Sequence, residues 1–190
     1  LNAKNLRERN KKHTGTEHYN YVYSFIVSNQ SIKIHDYNRL LIDLNGLTEK
    51  QFLNKIEKNF LVHNKGETPY YPSQKFHISM YLDGNFYSLH VKHDLRKKQS
   101  EMNDLDHFLL EEFVFKDILG IDDPKTTDKI TYIKGNSGIQ GIMSIKEKVD
   151  SGEFKVGFGI HPLSFSDLLK VSDKNIKMPP KCTYIEPKLV

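Results

Sequence analysis

The residues best suited to chemistry lie near the end of the chain, in Lys177-Met178-Pro179-Pro180-Lys181-Cys182-Thr183-Tyr184-Ile185-Glu186-Pro187-Lys188-Leu189. Its three prolines restrict the backbone and lower the entropy cost of holding side chains in place. Lys181, Thr183, Tyr184 and Lys188 set cations and hydroxyls on that stiff support, which is what an anion site needs; a docked C-terminal arm has the same composition. A second candidate is Arg39, three residues after Asp36. A guanidinium suits bidentate recognition of carboxylate or phosphate, while a local Asp36–Arg39 ion pair is the plainer alternative. Cys182 beside Lys181 has the makings of a lowered-pKa thiol, yet no histidine partner accompanies it.

Other arrangements carry less. Gly135-Asn136-Ser137-Gly138-Ile139-Gln140-Gly141 sits where a strand gives way to a helix; such a junction can offer amides to a phosphate, and a tight turn explains it equally. Among nine histidines, His90 and His93 are three apart and His77 falls on the facing strand of a hairpin. No cysteine or acid pair completes a set at zinc spacing, so no metal site is assigned. The phosphate-binding loop, the dinucleotide Gly-x-Gly-x-x-Gly and the nucleophile elbow are all absent from the sequence.

The elements that must position these residues follow from periodicity. Residues 1–13 are polar and helix-permissive, stopped by Gly15. Tyr19-Asn20-Tyr21-Val22-Tyr23-Ser24-Phe25-Ile26-Val27 is apolar on both faces, as a central strand would be. Ser31 to Asp36 forms a further strand leading into Tyr37–Ile42. Thr48-Glu49-Lys50-Gln51 has capping-box spacing and opens a helix over 48–59, with Phe52, Leu53, Ile56 and Phe60 on one face. After a proline loop at 66–73, Phe76, Ile78, Met80 and Leu82 alternate with polar residues. Asp83-Gly84 turns the chain, and Tyr87, Leu89 and Val91 alternate on the return: a hairpin over 75–92. A helix spans 103–119 and ends at Gly120. A strand at 130–133, a helix at 138–149, a strand at 154–160, a helix at 164–171 and a short strand at 183–185 complete the order.

This predicts an α+β fold: a mixed or mainly antiparallel sheet with helices packed on it. The chain reads as a single domain over 1–190. Hydrophobic residues make up 37 %, with ten Tyr and eleven Phe, enough for a real core. One cysteine fits a reducing, cytoplasmic compartment. No apolar run approaches the roughly 20 residues of a membrane span. The net charge of +4 comes from 28 basic and 24 acidic residues, and the densest basic stretches, 7–13 and 93–98, contain acids. That pattern suits solvated surfaces and no nucleic-acid partner. Leu1 is not an initiator methionine, residues 1–13 have no cap before them, and no closing turn follows Pro187, so both ends look cut from a longer chain.

The terminal segment resembles the signature of the bacterial and archaeal domain-of-unknown-function 1015 family, Met-Pro-x-Lys-Ser-Thr-Tyr/Phe-Phe-x-Pro-Lys-Leu. Met178, Pro179, Lys181, Thr183, Tyr184, Pro187, Lys188 and Leu189 match, while Cys182 replaces a serine and Ile185 an aromatic residue. Asn38-Arg39-Leu40, Leu105-Asp106, Ile118-Leu119-Gly120-Ile121, Ile130-Thr131-Tyr132 and Pro162 are similar to further family positions. The resemblance implies that this is the C-terminal half of the protein. It also implies a preceding half with an Asp-Gly-His-His-Arg motif similar to that of the ParB and sulfiredoxin group, absent here. Some relatives of that group phosphorylate a small molecule such as free serine. The full-length protein is then expected to be a nucleotide-dependent small-molecule phosphotransferase, with ATP or ADP and magnesium as its implied cofactors. In it Arg39, Lys181, Thr183, Tyr184 and Lys188 would bind anion and substrate. A non-catalytic module that binds a ligand or partner is the alternative.

Overall fold

The computed structural model describes residues 2–98, 105–136, 138–174 and 178–188. The hairpin forms where alternation and turn chemistry demand it, with β4 at His77–Leu82 and β5 at Asn85–Val91. Asp83 and Gly84 between them both have positive φ, 47° and 75°, the combination a two-residue hairpin turn requires. Around it are β2 (Tyr37–Leu41), β3 (Phe60–Gly66), β6 (Ile130–Lys134) and β7 (Val156–Ile160). They complete a six-stranded sheet in the order β3-β5-β4-β7-β2-β6, with every neighbouring pair antiparallel. A separate two-stranded sheet joins β1 (Lys33–His35) to β8 (Tyr184–Glu186). The fold is α+β.

Each face of the six-stranded sheet is covered by helix. Leu41, Phe158, Ile78, Met80, Leu89 and Phe60 point to one side. There Phe52 and Ile56 of α2 (Glu49–Ile56) meet them, as do Leu109, Phe113 and Phe115 of the segment formed by α4 (Asp106–Leu110) and a π-helix (Glu111–Lys116). α2 begins with the full capping box: the Thr48 hydroxyl accepts from the Gln51 amide, and the Gln51 side chain accepts from the Thr48 amide. On the other face, Leu40, Tyr81 and Phe86 pack with Ile142 and Ile145 of α5 (Ile139–Asp150). A Cβ at Gly157 would lie 2.2 Å from Ile145 Cγ2, so glycine is what lets α5 approach β7. A third apolar cluster, Leu105, Leu163, Val171 and Cys182, ties the C-terminal segment to α6 (Phe165–Asp173), which opens with its own Ser164–Asp167 capping box.

Two sequence expectations differ from the fold. Residues 19–27 are not a strand: a 3₁₀ turn covers His18–Asn20, and the rest is irregular with no ladder partner among the described residues. Extended propensity alone does not make a sheet, because the ladder bonds need a neighbour. Phe60, expected on the helical face of α2, instead begins β3, a strand the sequence pattern did not signal. His93–Lys98, for which the sequence pattern signals no element, forms a short helix, α3. The start of the expected 103–119 helix falls partly outside the described residues; from Asp106 onward it is helical, and Gly120, at φ 66°, ends it.

The chain separates into two units, one of residues 33–186 and one of residues 1–32 with 187–190. The second contains α1 (Asn2–Arg9), in which no residue is buried. Among the described residues no helix is long and apolar enough to cross a membrane.

Candidate functional site

Strand alternation decides what Arg39 can reach. Asp36 and Arg39 are an odd number of residues apart, so they leave the backbone on opposite faces, and no salt bridge joins them among the described residues. Asp36 Oδ1 packs where a Cβ at Gly135 would stand, 2.3 Å away, and has no hydrogen-bond partner among the described residues. Burial raises its pKa against the opposing pull of Arg39.

Arg39 itself is 1 % exposed and stands opposite Tyr132 on β6 and Phe158 on β7. Its Nη1 donates to the Tyr37 carbonyl, and its Nη2 lies 3.4 Å from the Lys181 carbonyl. The guanidinium carbon is 5.7 Å from the centre of the Tyr132 ring. Two positions singled out from opposite ends of the unit, Arg39 and Lys181, therefore meet. The geometry there is exacting, for Lys181 holds a left-handed backbone with φ 53°, a conformation that costs a non-glycine residue energy.

Beneath Arg39 lies a polar cluster that sequence reading missed. His107 is fully buried, and its Nε2 is 2.9 Å from the Cys182 carbonyl. A carbonyl only accepts, so Nε2 carries the proton and Nδ1 is left as a buried acceptor, without a partner among the described residues. Burial, then the Arg39 charge, holds this imidazole neutral, its pKa well below the usual value. One turn on, Glu111 opens the π-helix; burial pushes its carboxyl up to about 7, against the pull of Arg39 and Lys125. Glu111 Oε1 and the Tyr132 hydroxyl are also buried without partners among the described residues. π-helical turns recur at functional sites because they re-aim a side chain inside an otherwise regular helix. A legible signal did exist: His107 and Glu111 are polar residues at i and i+4 within an otherwise apolar helical stripe.

At the surface end of the cluster the two sheets set a rim of cations and aromatic rings. Register places His35 opposite Tyr184 and Tyr37 opposite Lys134. The Tyr37 and Tyr184 rings lie 6.1 Å apart, edge to face. Lys134 Nζ sits 4.3 Å from the Tyr184 ring centre and Lys181 Nζ 5.7 Å from that of Tyr37. Glu186 accepts from Lys134 at 2.6 Å and lies 3.1 Å from His35 Nε2; its pKa is lowered, chiefly by the Lys134 bond. Lys181 is exposed, and Thr183 and Tyr184 are half-buried. Lys188 is exposed and belongs to the other unit.

The remaining sequence candidates resolve into packing. Burial pushes the Cys182 thiol up to about 12, and Sγ lies 3.0 Å from the Pro179 carbonyl, so it is a protonated core group and no activated thiolate. At the strand-to-helix junction, a Cβ on Gly141 would fall 1.8 Å from the Gly135 carbonyl oxygen, and the Gly141 carbonyl accepts from Asn38 at 2.9 Å. His77 and His90 stack at 3.9 Å, with His63 5.2 Å from His90. His77 lies within hydrogen-bonding distance of Tyr70 and Gln74. Burial, then the neighbouring rings, lowers His90 to about 4. Among the described residues no group of three or more His, Cys, Asp and Glu has the geometry to hold a metal ion.

Solved structures share parts of this fold at low identity. A free serine kinase variant in complex with AMP matches with a TM-score of 0.47 at 12 % identity, over 82 % of this chain and 55 % of its own. A conserved hypothetical protein from Pyrococcus furiosus gives 0.43 at 10 %, over 85 % and 59 %. SbnI with a C-terminal truncation, from Staphylococcus aureus, gives 0.42 at 13 %, over 84 % and 52 %. The chain thus spans about half the length of these structures. No curated protein matches it. Residues 1–108, more than half of the chain, match the model of the family described as Protein of unknown function (DUF1015), and the chain belongs to that family.

Proposed function

We propose that this chain is the C-terminal part of a nucleotide-dependent small-molecule phosphotransferase, related to the ParB and sulfiredoxin group, and that its own share of the work is anion recognition. The observation that carries this reading is the meeting of Arg39 with the Lys181 segment. It brings a buried guanidinium, two surface ammonium groups (Lys134 and Lys181) and two tyrosine rings to one edge of the fold. Phosphoryl transfer asks mainly for positioning and charge stabilisation. Lysines serve phosphate as point charges, and the tyrosine faces offer a planar base somewhere to stack. Arg39 fixes the backbone that carries Lys181 and raises the local positive potential without touching the ligand. Thr183 and Tyr184 would contribute hydroxyls from the same segment.

The nucleotide would supply the phosphoryl group. The bond from phosphorus to the nucleotide's bridging oxygen breaks, a new one forms to the substrate hydroxyl, and that hydroxyl loses its proton. Among the described residues no group of three or more His, Cys, Asp and Glu could hold a metal ion, and this chain's residues are assigned no metal role. The test is phosphorus NMR on the full-length protein with ATP or ADP and free serine or other small alcohols. A new phosphomonoester is expected, and the 190-residue chain alone should form none. Nucleotide binding without transfer would instead favour the second reading, a non-catalytic ligand-binding module. One observation supports that alternative: the bonds of Arg39 run to backbone carbonyls, as they would if its task were to hold a structural arm.

A further inference from the structure

Packing explains where the three histidines of β3, β4 and β5 lie, but it leaves two of them without a hydrogen bond. His63, His77 and His90 share one face of the sheet, because His90 pairs with Leu61 and with His77 and alternate residues of a strand point the same way. The Gln74 amide nitrogen lies 3.0 Å from His77 Nε2, and an amide nitrogen only donates. Nε2 is therefore the acceptor, and Nδ1 carries a proton toward the Tyr70 hydroxyl at 3.1 Å. His77 is thus held as a neutral ring with both nitrogens engaged. The ring nitrogens of His63 and His90 make no hydrogen bond among the described residues, although the two rings lie 5.2 Å apart. The cations beside them are unpaired as well. Lys65, at a bulge where the register shifts between Asn64 and Gly66, holds its ammonium 6.0 Å from the Tyr70 ring centre. Arg96 of α3 lies over the Phe76 ring, and its Nε donates to the Val91 carbonyl. Neither forms a salt bridge among the described residues, whereas Lys75 on the neighbouring loop is paired with Asp167 at 2.8 Å.

We propose that a phosphate-class dianion binds between the ring nitrogens of His63 and His90 and the side chains of Lys65 and Arg96, and that a proton is taken up as it binds. A neutral imidazole already donates one N–H, and the added proton makes it donate two. An anion with several acceptor oxygens can meet two rings and two cations at once. The site is distinct from the Lys181 edge: β5 and β2 are three places apart in the sheet, about 14 Å at ordinary strand spacing. After burial, the groups that hold His90 down to about 4 are His77, His63, Arg96 and Lys65, all imidazoles or cations. A bound dianion supplies the missing negative charge and raises that value. Between the value without the anion and the value with it, each unit of falling pH tightens binding by up to about tenfold per proton taken up.

Histidine ring NMR signals of the full-length protein, assigned with His63→Gln and His90→Gln, test this. Sulfate is the first probe, because it stays a dianion across the range in which imidazoles titrate. Against chloride at matched ionic strength, sulfate should shift the His63 and His90 signals saturably and raise the His90 midpoint by at least about one pH unit. Lys65→Gln should weaken that response roughly fivefold, and Lys181→Ala should leave it unchanged. Inorganic phosphate and glycerol phosphate, run as separate arms, should act as sulfate does, and the tighter of the two identifies a free anion or a phosphomonoester as the occupant. Equal shifts in chloride would overturn the proposal, since screening alone would then explain them. An unmoved His90 midpoint, or a Lys65→Gln protein that binds as the parent does, would overturn it too. Loss of the response in Lys181→Ala would place the anion at the other edge and have the same effect.

Discussion

Glu111→Gln is expected to stabilise the protein above neutral pH and to leave it unchanged in acid. The carboxyl sits beside a neutral imidazole and a buried tyrosine hydroxyl, and burial lifts it from 4.5 to about 7. A carboxyl raised in the folded state costs nothing below pH 4.5, where both states are protonated. As pH rises from 4.5 to about 7 the unfolded chain releases its proton first, and stability is lost across that window. At about 1.4 kcal/mol per pH unit the ceiling is about 3 kcal/mol; partial solvent access of the side chain reduces the expectation to about 1–2 kcal/mol. Glutamine keeps the shape and cannot ionise. Urea melts followed by far-UV circular dichroism at about pH 4 and about pH 8, at matched ionic strength, should therefore show no difference in acid and a gain of that size in base. Buried histidines such as His107 titrate in the opposite sense, but they are common to both proteins and cancel. A variant less stable than the parent at about pH 8 would show that the Glu111 carboxylate is stabilising and that its environment has been misread.

Two further substitutions test the packing that holds the site. Leu109→Ala, at a position 1 % exposed in the main core, should cost about 2–5 kcal/mol in denaturant melts through lost burial and a cavity. Gly141→Ala places a Cβ 1.8 Å from the Gly135 carbonyl oxygen, so α5 must shift; a loss of about 1–3 kcal/mol is expected, where an open helical position would gain from alanine.

Much of this architecture was legible because local signals agreed with the global fold. The Asp83-Gly84 turn, the Thr48 capping box and the period-2 alternation of β4 and β5 each dictate one local structure, and each forms. The sequence pointed to Arg39 and Lys181 separately, and the structure joins them through a carbonyl contact. His107 and Glu111 showed only as polar residues at i and i+4 in an apolar stripe, and Tyr132 not at all; their meeting comes from which strand lies opposite β2 and from a π-helical turn. Register and helix type depend on contacts distant in sequence, and no local pattern carries them. Residues 19–27 failed for the converse reason, since strand propensity was present and the partner was not among the described residues.

Calorimetric titration of the full-length protein with ATP and ADP, the nucleotides of the proposed reaction, tests the anion edge most directly. Lys181 is exposed, with its ammonium over the Tyr37 ring, so Lys181→Ala should leave the melting temperature within about 1 °C. It should weaken nucleotide binding about tenfold, as expected for one lost charge-assisted contact. Unchanged affinity together with a melt lowered by several degrees would contradict the account and make the segment a structural arm.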